Sequence, residues 1–216
     1  MKELAWFALL VVLPLGCGGK AESSKTDPRE KPAKPAETRE EAIAAIKKLG
    51  GRVFSVSKNS GLVDYVLFNN PFETNVTDAG LVHLKTLTSL DNLDLSTTKI
   101  TGAGLVHLKG SAKLRTLYLE DTKVTDAGLI HLKGLTGLQH LHLAGTNVTN
   151  AGLLHLKGLT KLQYLYLVNT KVGDAGLAHL KGLTKLKILN VSDTKVTAAG
   201  VKKLQDALPK CQIQRW

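Results

Sequence analysis

Residues 148–171 read VTNAGLLHLKGLTKLQYLYLVNTK, and the same pattern recurs with a period of 24 from Val76 to Lys195. Five units follow one another without a gap, starting at Val76, Ile100, Val124, Val148 and Val172. A fixed period of this length marks a stacked-repeat architecture, because one unit cannot bury its apolar face alone and must lean on its neighbours. The alternation Leu165, Tyr166, Leu167 has the period of a short strand with one face buried. The stretch Val148 to Leu156 has the spacing of a short helix, with Leu153, Leu156 and Leu159 pointing inward together. Each unit thus offers about six aliphatic side chains for burial, at roughly 1.5 to 3 kcal/mol apiece before chain entropy is charged.

Within the unit, Leu162, Leu165, Leu167, Thr170 and Val172 spell L-x-x-L-x-L-x-x-T-x-V. This resembles the leucine-rich repeat, over roughly Val63 to Leu208, in the form found in bacterial leucine-rich-repeat lipoproteins with internalin-like or ribonuclease-inhibitor-like solenoids. The resemblance implies an α/β leucine-rich-repeat solenoid, with a curved parallel β-sheet on its concave face and short helices on its convex face. The family's usual asparagine is replaced by Thr98, Thr122, Thr146, Thr170 and Thr194, whose hydroxyls are expected to form a structural ladder against backbone of their own or a neighbouring turn. The V-T-D-A-G-L half also resembles repeats of F-box-associated proteins, but no F-box precedes it.

At the start of each helix, Thr77 reads as N-cap, with Val76 and Leu81 as a hydrophobic staple. Asp78 would then sit at the positive end of the helix dipole and Lys85 near the negative end. Gly80, Gly104, Gly128, Gly152, Gly176 and Gly200 fall in the first helical turn, where a small residue permits close packing between units. Ser111 stands where Leu87, Leu135, Leu159 and Leu183 stand elsewhere, a local weak point.

Outward from the repeats, residues 38–75 read as an N-terminal cap: a helix from Thr38, then a strand around Val63 to Phe68 that runs out of phase into Asn69, Asn70, Pro71 and Phe72. Residues 196–216 read as a partial unit and C-terminal cap, with a last strand near Ile213 and Cys211 buried beside it. Residues 20–37, KAESSKTDPREKPAKPAE, contain charges and prolines but no large apolar side chain, and are expected to be an extended tether. Residues 1–19 pair a short charged start with an apolar run from Leu4 to Leu13, the pattern of a secretory signal too short to span a bilayer. Leu13, Pro14, Leu15, Gly16 and Cys17 resemble a bacterial lipobox, although Pro14 stands where leucine is usual and Glu3 offsets Lys2. The resemblance implies acylation at Cys17, hence an exported protein anchored in a bacterial membrane and facing periplasm or cell surface; plain secretion is the alternative.

Two columns of residues between the strand leucines face the concave side. One runs Asn92, Thr116, His140, Tyr164 and Ile188; the other runs Asp94, Tyr118, His142, Tyr166 and Asn190. Large rings on an exposed face serve no packing need, and tyrosine offers rigid contact area with a polar tip. The expected binding surface is therefore Tyr118, His140, His142, Tyr164 and Tyr166, with Asp94 and Glu120 beside them. His140 and His142 would point the same way, as in some zinc sites, with Glu120 diagonal to them as the sole nearby carboxylate. No third ligand completes a set, so no metal or other cofactor is expected. The regular column His83, His107, His131, His155 and His179 reads as a tolerated surface residue copied by repetition.

The chain carries 29 Lys and Arg against 18 Asp and Glu, a net charge of +11. The basic residues are assigned to the helix ends and loops, whereas Asp91, Asp94, Glu120, Asp121 and Asp193 are assigned to the concave side against Arg115 and Lys187. An exported protein with this distribution is not expected to bind nucleic acid. No phosphate-binding glycine loop, Ser-His-Asp set or His-paired thiol is present, so no catalytic residue is assigned. The sequence thus points to a non-enzymatic, monomeric module that binds a protein partner, with an envelope scaffold that recognises cell-wall polysaccharide by the same patch as the alternative. A metal-dependent enzyme at His140 and His142 is a third reading, which would require a bound metal.

Overall fold

In the computed structural model, which describes residues 37–55, 63–68 and 74–216, the repeat period becomes a ladder of strands paired in sequence order. The segments expected as leader and tether through residue 36, with Cys17, and the expected insertion at residues 69–72 lie outside the described residues. The repeats supply β3 (Asn92–Asp94), β4 (Thr116–Tyr118), β5 (His140–His142), β6 (Tyr164–Tyr166) and β7 (Ile188–Asn190). They are flanked by β2 (Tyr65–Leu67) before and β8 (Gln212–Gln214) after, and all seven pair in parallel. Register steps by one period at each crossing between repeats, so that Leu117 faces Leu141 and Leu141 faces Leu165. Each strand is short, and its central residue is buried from Val66 through Leu189.

Two features of the N-terminal cap go beyond the sequence reading. A further strand, β1 (Arg52–Phe54), closes the sheet edge by pairing antiparallel with β2. The helix before it, α1 (Arg39–Lys48), opens with a reciprocal capping box. Thr38 Oγ1 accepts from the Glu41 amide at 3.2 Å. Glu41 Oε2 accepts in return from the Thr38 amide at 2.8 Å. At the other end, the Cys211 amide donates to the Leu208 carbonyl as that of Leu186 does to Leu183, and the side chain is buried like a leucine of the repeats. Burial pushes its thiol up to about 11 and keeps it protonated at neutral pH.

The convex segments are tighter than ordinary helices. Asp78–Thr86 and Ala103–Leu108 are 3-10 throughout, whereas α2 (Asp126–Leu129), α3 (Asn150–Leu153) and α4 (Asp174–Leu177) run straight into 3-10 turns. α5 (Ala198–Ala207), by contrast, is α-helical for all 10 residues. Strands stack about 4.8 Å apart, whereas side-by-side helices need roughly 8 to 10 Å, so the sheet must lie on the inside of the curve.

The expected roles of Thr77 and Asp78 need correction. Thr77 stands at the N-cap position, but its side chain makes no capping bond, whereas the equivalent Thr149 and Thr197 hydroxyls accept from the Ala151 and Gly200 amides at 3.3 and 3.1 Å. Asp78 reaches the next unit, accepting from the Thr101 amide at 3.0 Å, the Gly104 amide at 3.1 Å and the Thr101 hydroxyl. Asp126 repeats this on the Thr149 amide and hydroxyl at 2.7 and 2.6 Å, and Asp174 on those of Thr197 at 2.8 and 2.7 Å. Asn150 has one acceptor oxygen, and it meets the amides of Gly173 and Gly176, where the partner has no hydroxyl to satisfy. The carboxylate is thus a staple between units. The first-turn glycines make room for it: a Cβ on Gly104 would lie 2.8 Å from the Asp78 Cα. The second unit has Gly102 in the staple position, and its Cα would lie 2.8 Å from a Cβ on Gly128.

The ladder threonines act within their own turns. Thr98, Thr122, Thr146, Thr170 and Thr194 each donate to the carbonyl three residues back, at 2.6 to 2.7 Å. Just before them, Thr97, Asp121, Gly145, Asn169 and Asp193 all have φ between 52° and 67°. Asp, Asn and Gly tolerate this left-handed turn best, which explains four of the five positions. Asp121 and Asp193, read from sequence as concave charges, are therefore turn residues at the strand ends.

Ser111 is buried in the column occupied elsewhere by Leu87, Leu135, Leu159 and Leu183. Ser111→Leu should raise unfolding free energy by about 1 to 2 kcal/mol in chemical denaturation, and no gain would show that the site cannot hold the larger side chain. Asp126→Ala should cost about 1 to 2 kcal/mol by the same measurement, through loss of the charged acceptor, with Asp126→Asn falling between the two.

Candidate recognition surface

Because the register is strict, the first and third residues of successive strands stand beside one another on the concave face. His140 pairs across to Tyr164, and His142 lies between Tyr118 and Tyr166. The rings touch. Tyr118 and His142 have centroids 4.3 Å apart with a tilt of 41°, and His142 and Tyr166 stack at 4.3 Å and 23°. His140 and Tyr164 stack at 4.5 Å and 13°, with Lys187 Nζ 6.0 Å from the Tyr164 centroid. Tyr118, His140, His142, Tyr164 and Tyr166 are all half-buried, since each ring covers part of its neighbour. This packing fixes side chains that would otherwise have to be ordered on binding.

Glu120 extends the cluster by holding His142 Nδ1 at 2.9 Å. It therefore engages one histidine of the pair. Asp94 is also partly committed: its Oδ1 accepts from the Ser96 amide at 2.9 Å and so braces its own turn. Burial, together with the nearby Asp94 and Glu120 carboxylates, pushes the Tyr118 phenol up, so it remains a hydrogen-bond donor at neutral pH. Among the described residues no three His, Cys, Asp or Glu side chains converge as a metal-binding set.

One concave residue lies outside the set expected from sequence. Tyr65 on β2 pairs with Asn92 and so stands in the column of His140 and Tyr164. Its signal is present as Tyr65, Val66 and Leu67, but the step from Tyr65 to Asn92 is longer than the repeat period, which hides the alignment. Tyr65 lines a groove of about 610 Å³ at the entry ends of the strands, with Asp91, Arg115, Gln139, Lys113 and Lys161. Arg115 and Asp91 form a two-point ion pair there, the Arg115 Nη2 arm 2.8 Å from Asp91 Oδ2.

The stacked register, the buried leucine columns and the concave face together define an α/β leucine-rich-repeat solenoid fold. A leucine-rich-repeat family model matches residues 110–133 and 182–204. The solenoid is internalin-like: internalin C2 of Listeria monocytogenes aligns at 26% identity and a TM-score of 0.53, covering 80% of this chain and 80% of that one. The internalin inlF of the same organism aligns at 24% identity and a TM-score of 0.54, covering 62% of this chain. That match spans only 36% of the inlF structure. Comparison with curated proteins finds no match.

Two imidazoles set the behaviour in mild acid. His140 is held below its ordinary value by burial, with His142 and Lys187 adding to the effect; His107 is lowered by burial and by Lys85. The unfolded chain therefore takes up these protons more readily. Their contribution to stability is full above about pH 6.5 and is lost as pH falls below it. Asp78 and Asp174 behave as carboxylates held in the charged form: burial of Asp78 is outweighed by bonds from Thr101, Gly104 and Gly102, and Asp174 is lowered by the Thr197 amide and hydroxyl. Their contribution is lost only below about pH 4. The melting temperature should thus fall in two stages on acidification, and His140→Gln should flatten the first. An unchanged slope between about pH 7 and pH 5 would show that His140 does not contribute to it.

Proposed function

We propose that this chain is a non-catalytic protein-binding module of the bacterial cell envelope, exported by its N-terminal signal and tethered through Cys17. The observation that carries the reading is the stacked cluster of Tyr118, His140, His142, Tyr164 and Tyr166 on the concave face. The leucine core is buried without these rings. Their stacking lends the sheet some cross-strand stability, but their outer edges, phenol hydroxyls and the imidazole nitrogens other than His142 Nδ1, which Glu120 holds, are left to meet a partner. Asp94 and Glu120 add acidic acceptors along one side, while Arg115 and Lys187 add donors along the other. Such a surface suits a folded protein with mixed polar and apolar groups.

The similarity to internalins supports export and protein recognition, and the tether of residues 20–37 would give the solenoid reach from the membrane. A lipidated Cys17 would need a second signal for firm anchoring if only one acyl chain were attached.

Affinity capture from envelope extract by the full chain should recover a protein partner. Tyr164→Ala combined with Tyr166→Ala should weaken that capture at least about thirtyfold, as expected for truncation of aromatic anchors. Equal recovery by the variant would overturn the assigned surface, and recovery of polysaccharide alone would transfer the surface to a cell-wall polymer.

A further inference from the structure

The convex face carries a second ordered surface that concave recognition leaves unused. At the seventh position of each repeat stand Val82, Val106, Ile130, Leu154 and Ala178. These are outward residues: Val82 is 37%, Ile130 46% and Leu154 45% exposed. Three positions further on in each unit stand Lys85, Lys109, Lys133, Lys157 and Lys181, all exposed. Among the described residues none of these five lysines has an ion-pair partner.

The carboxylates near this face are occupied. Asp78, Asp126 and Asp174 serve as staples between units, and Glu37 is paired with His83. Between the first two units, Lys85, Lys109, Val106, His107 and Gly110 border a groove of about 400 Å³, where two ammonium groups and an imidazole surround a space of headgroup size. The pattern ends with the repeats, since α5 replaces the apolar and histidine positions with Lys202 and Lys203.

From this we infer that the convex face is a docking surface for an anionic lipid bilayer. A row of apolar side chains beside a row of unpaired lysines matches the two layers of a membrane interface: the apolar groups enter the acyl boundary while the ammonium groups stay with the phosphates. Nucleic acid fits less well, because these two rows hold neither arginine nor an aromatic side chain on which a base could stack. Among the described residues no helix is long and apolar enough to cross a membrane, so the contact is peripheral. Lying this way, the solenoid would turn its concave rings away from the lipid.

The test is co-flotation of the full chain with vesicles of equal parts phosphatidylglycerol and phosphatidylcholine, against phosphatidylcholine alone. The N-terminal apolar run is common to every variant and to both vesicles, so the readout is the preference for the anionic ones. That preference should be large, and it should collapse in about 1 M salt, where the Debye length is about 3 Å. Lys133→Gln with Lys157→Gln should weaken it about 25-fold, at about fivefold per lysine. Ile130→Ser with Leu154→Ser, which leaves the charge unchanged, should weaken it about tenfold. All four side chains are exposed, so the melting temperature of each variant should match that of the parent. Absence of an anionic preference, or a preference that survives the lysine substitutions, would overturn the proposal. So would insensitivity to the apolar pair combined with equal competition by heparin or duplex DNA, which would make the face a general polyanion binder.

Discussion

The hydrogen-bonded register between neighbouring strands, one full repeat at every step, is the constraint from which the rest of this solenoid follows. It brings like positions of successive units side by side, so a leucine meets a leucine and a ring meets a ring. Within the sheet this spacing is that of adjacent strands, close enough for aromatic side chains to touch. On the convex side the same constraint lines up apolar and basic residues in parallel rows. A residue type tolerated once in the unit becomes, through repetition, a property of a whole face.

That is why so much is legible from the chain alone. The leucine columns, the ladder threonines and the two concave columns are periodic, and their neighbours in space are given by the period itself. The parts that escape are those with no repeat to compare. β1 occurs once, in the cap, and pairs antiparallel with a strand that lies out of phase. Tyr65 is hidden by the same shift of phase. The carboxylate staple is in view but suggests the wrong partner: Asp78 sits at a helix start, where its own dipole is an adequate reason for it, and only the neighbouring unit shows the amides it serves. Asn150 opposite Gly173 could disclose it, because the second acceptor oxygen is absent where the hydroxyl is absent.

Ring stacking alters the meaning of the concave patch. Read from sequence, Tyr164 and Tyr166 are rings on an open face. In the structure they are half-covered by histidines whose own positions depend on them, with His142 further fixed by Glu120. A surface ordered in this way before contact loses little side-chain freedom on binding. It also couples the five residues, so that changes at two of them need not add.

The second unit departs from its neighbours twice, with Gly102 in place of the staple and Ser111 in place of a core leucine. In a one-dimensional stack, stability is divided among the joints between units, and the poorest joint sets where the array first comes apart. Here that joint lies between the second and third repeats, crossed by the most tilted of the ring contacts, Tyr118 on His142. Opening it would detach the amino-terminal portion while leaving His140 on Tyr164 and His142 on Tyr166 in one piece. Most of the concave ring cluster therefore belongs to the more cooperative segment of the array, and fraying that starts from the amino-terminal end of the described solenoid would reach a natural stopping point before it.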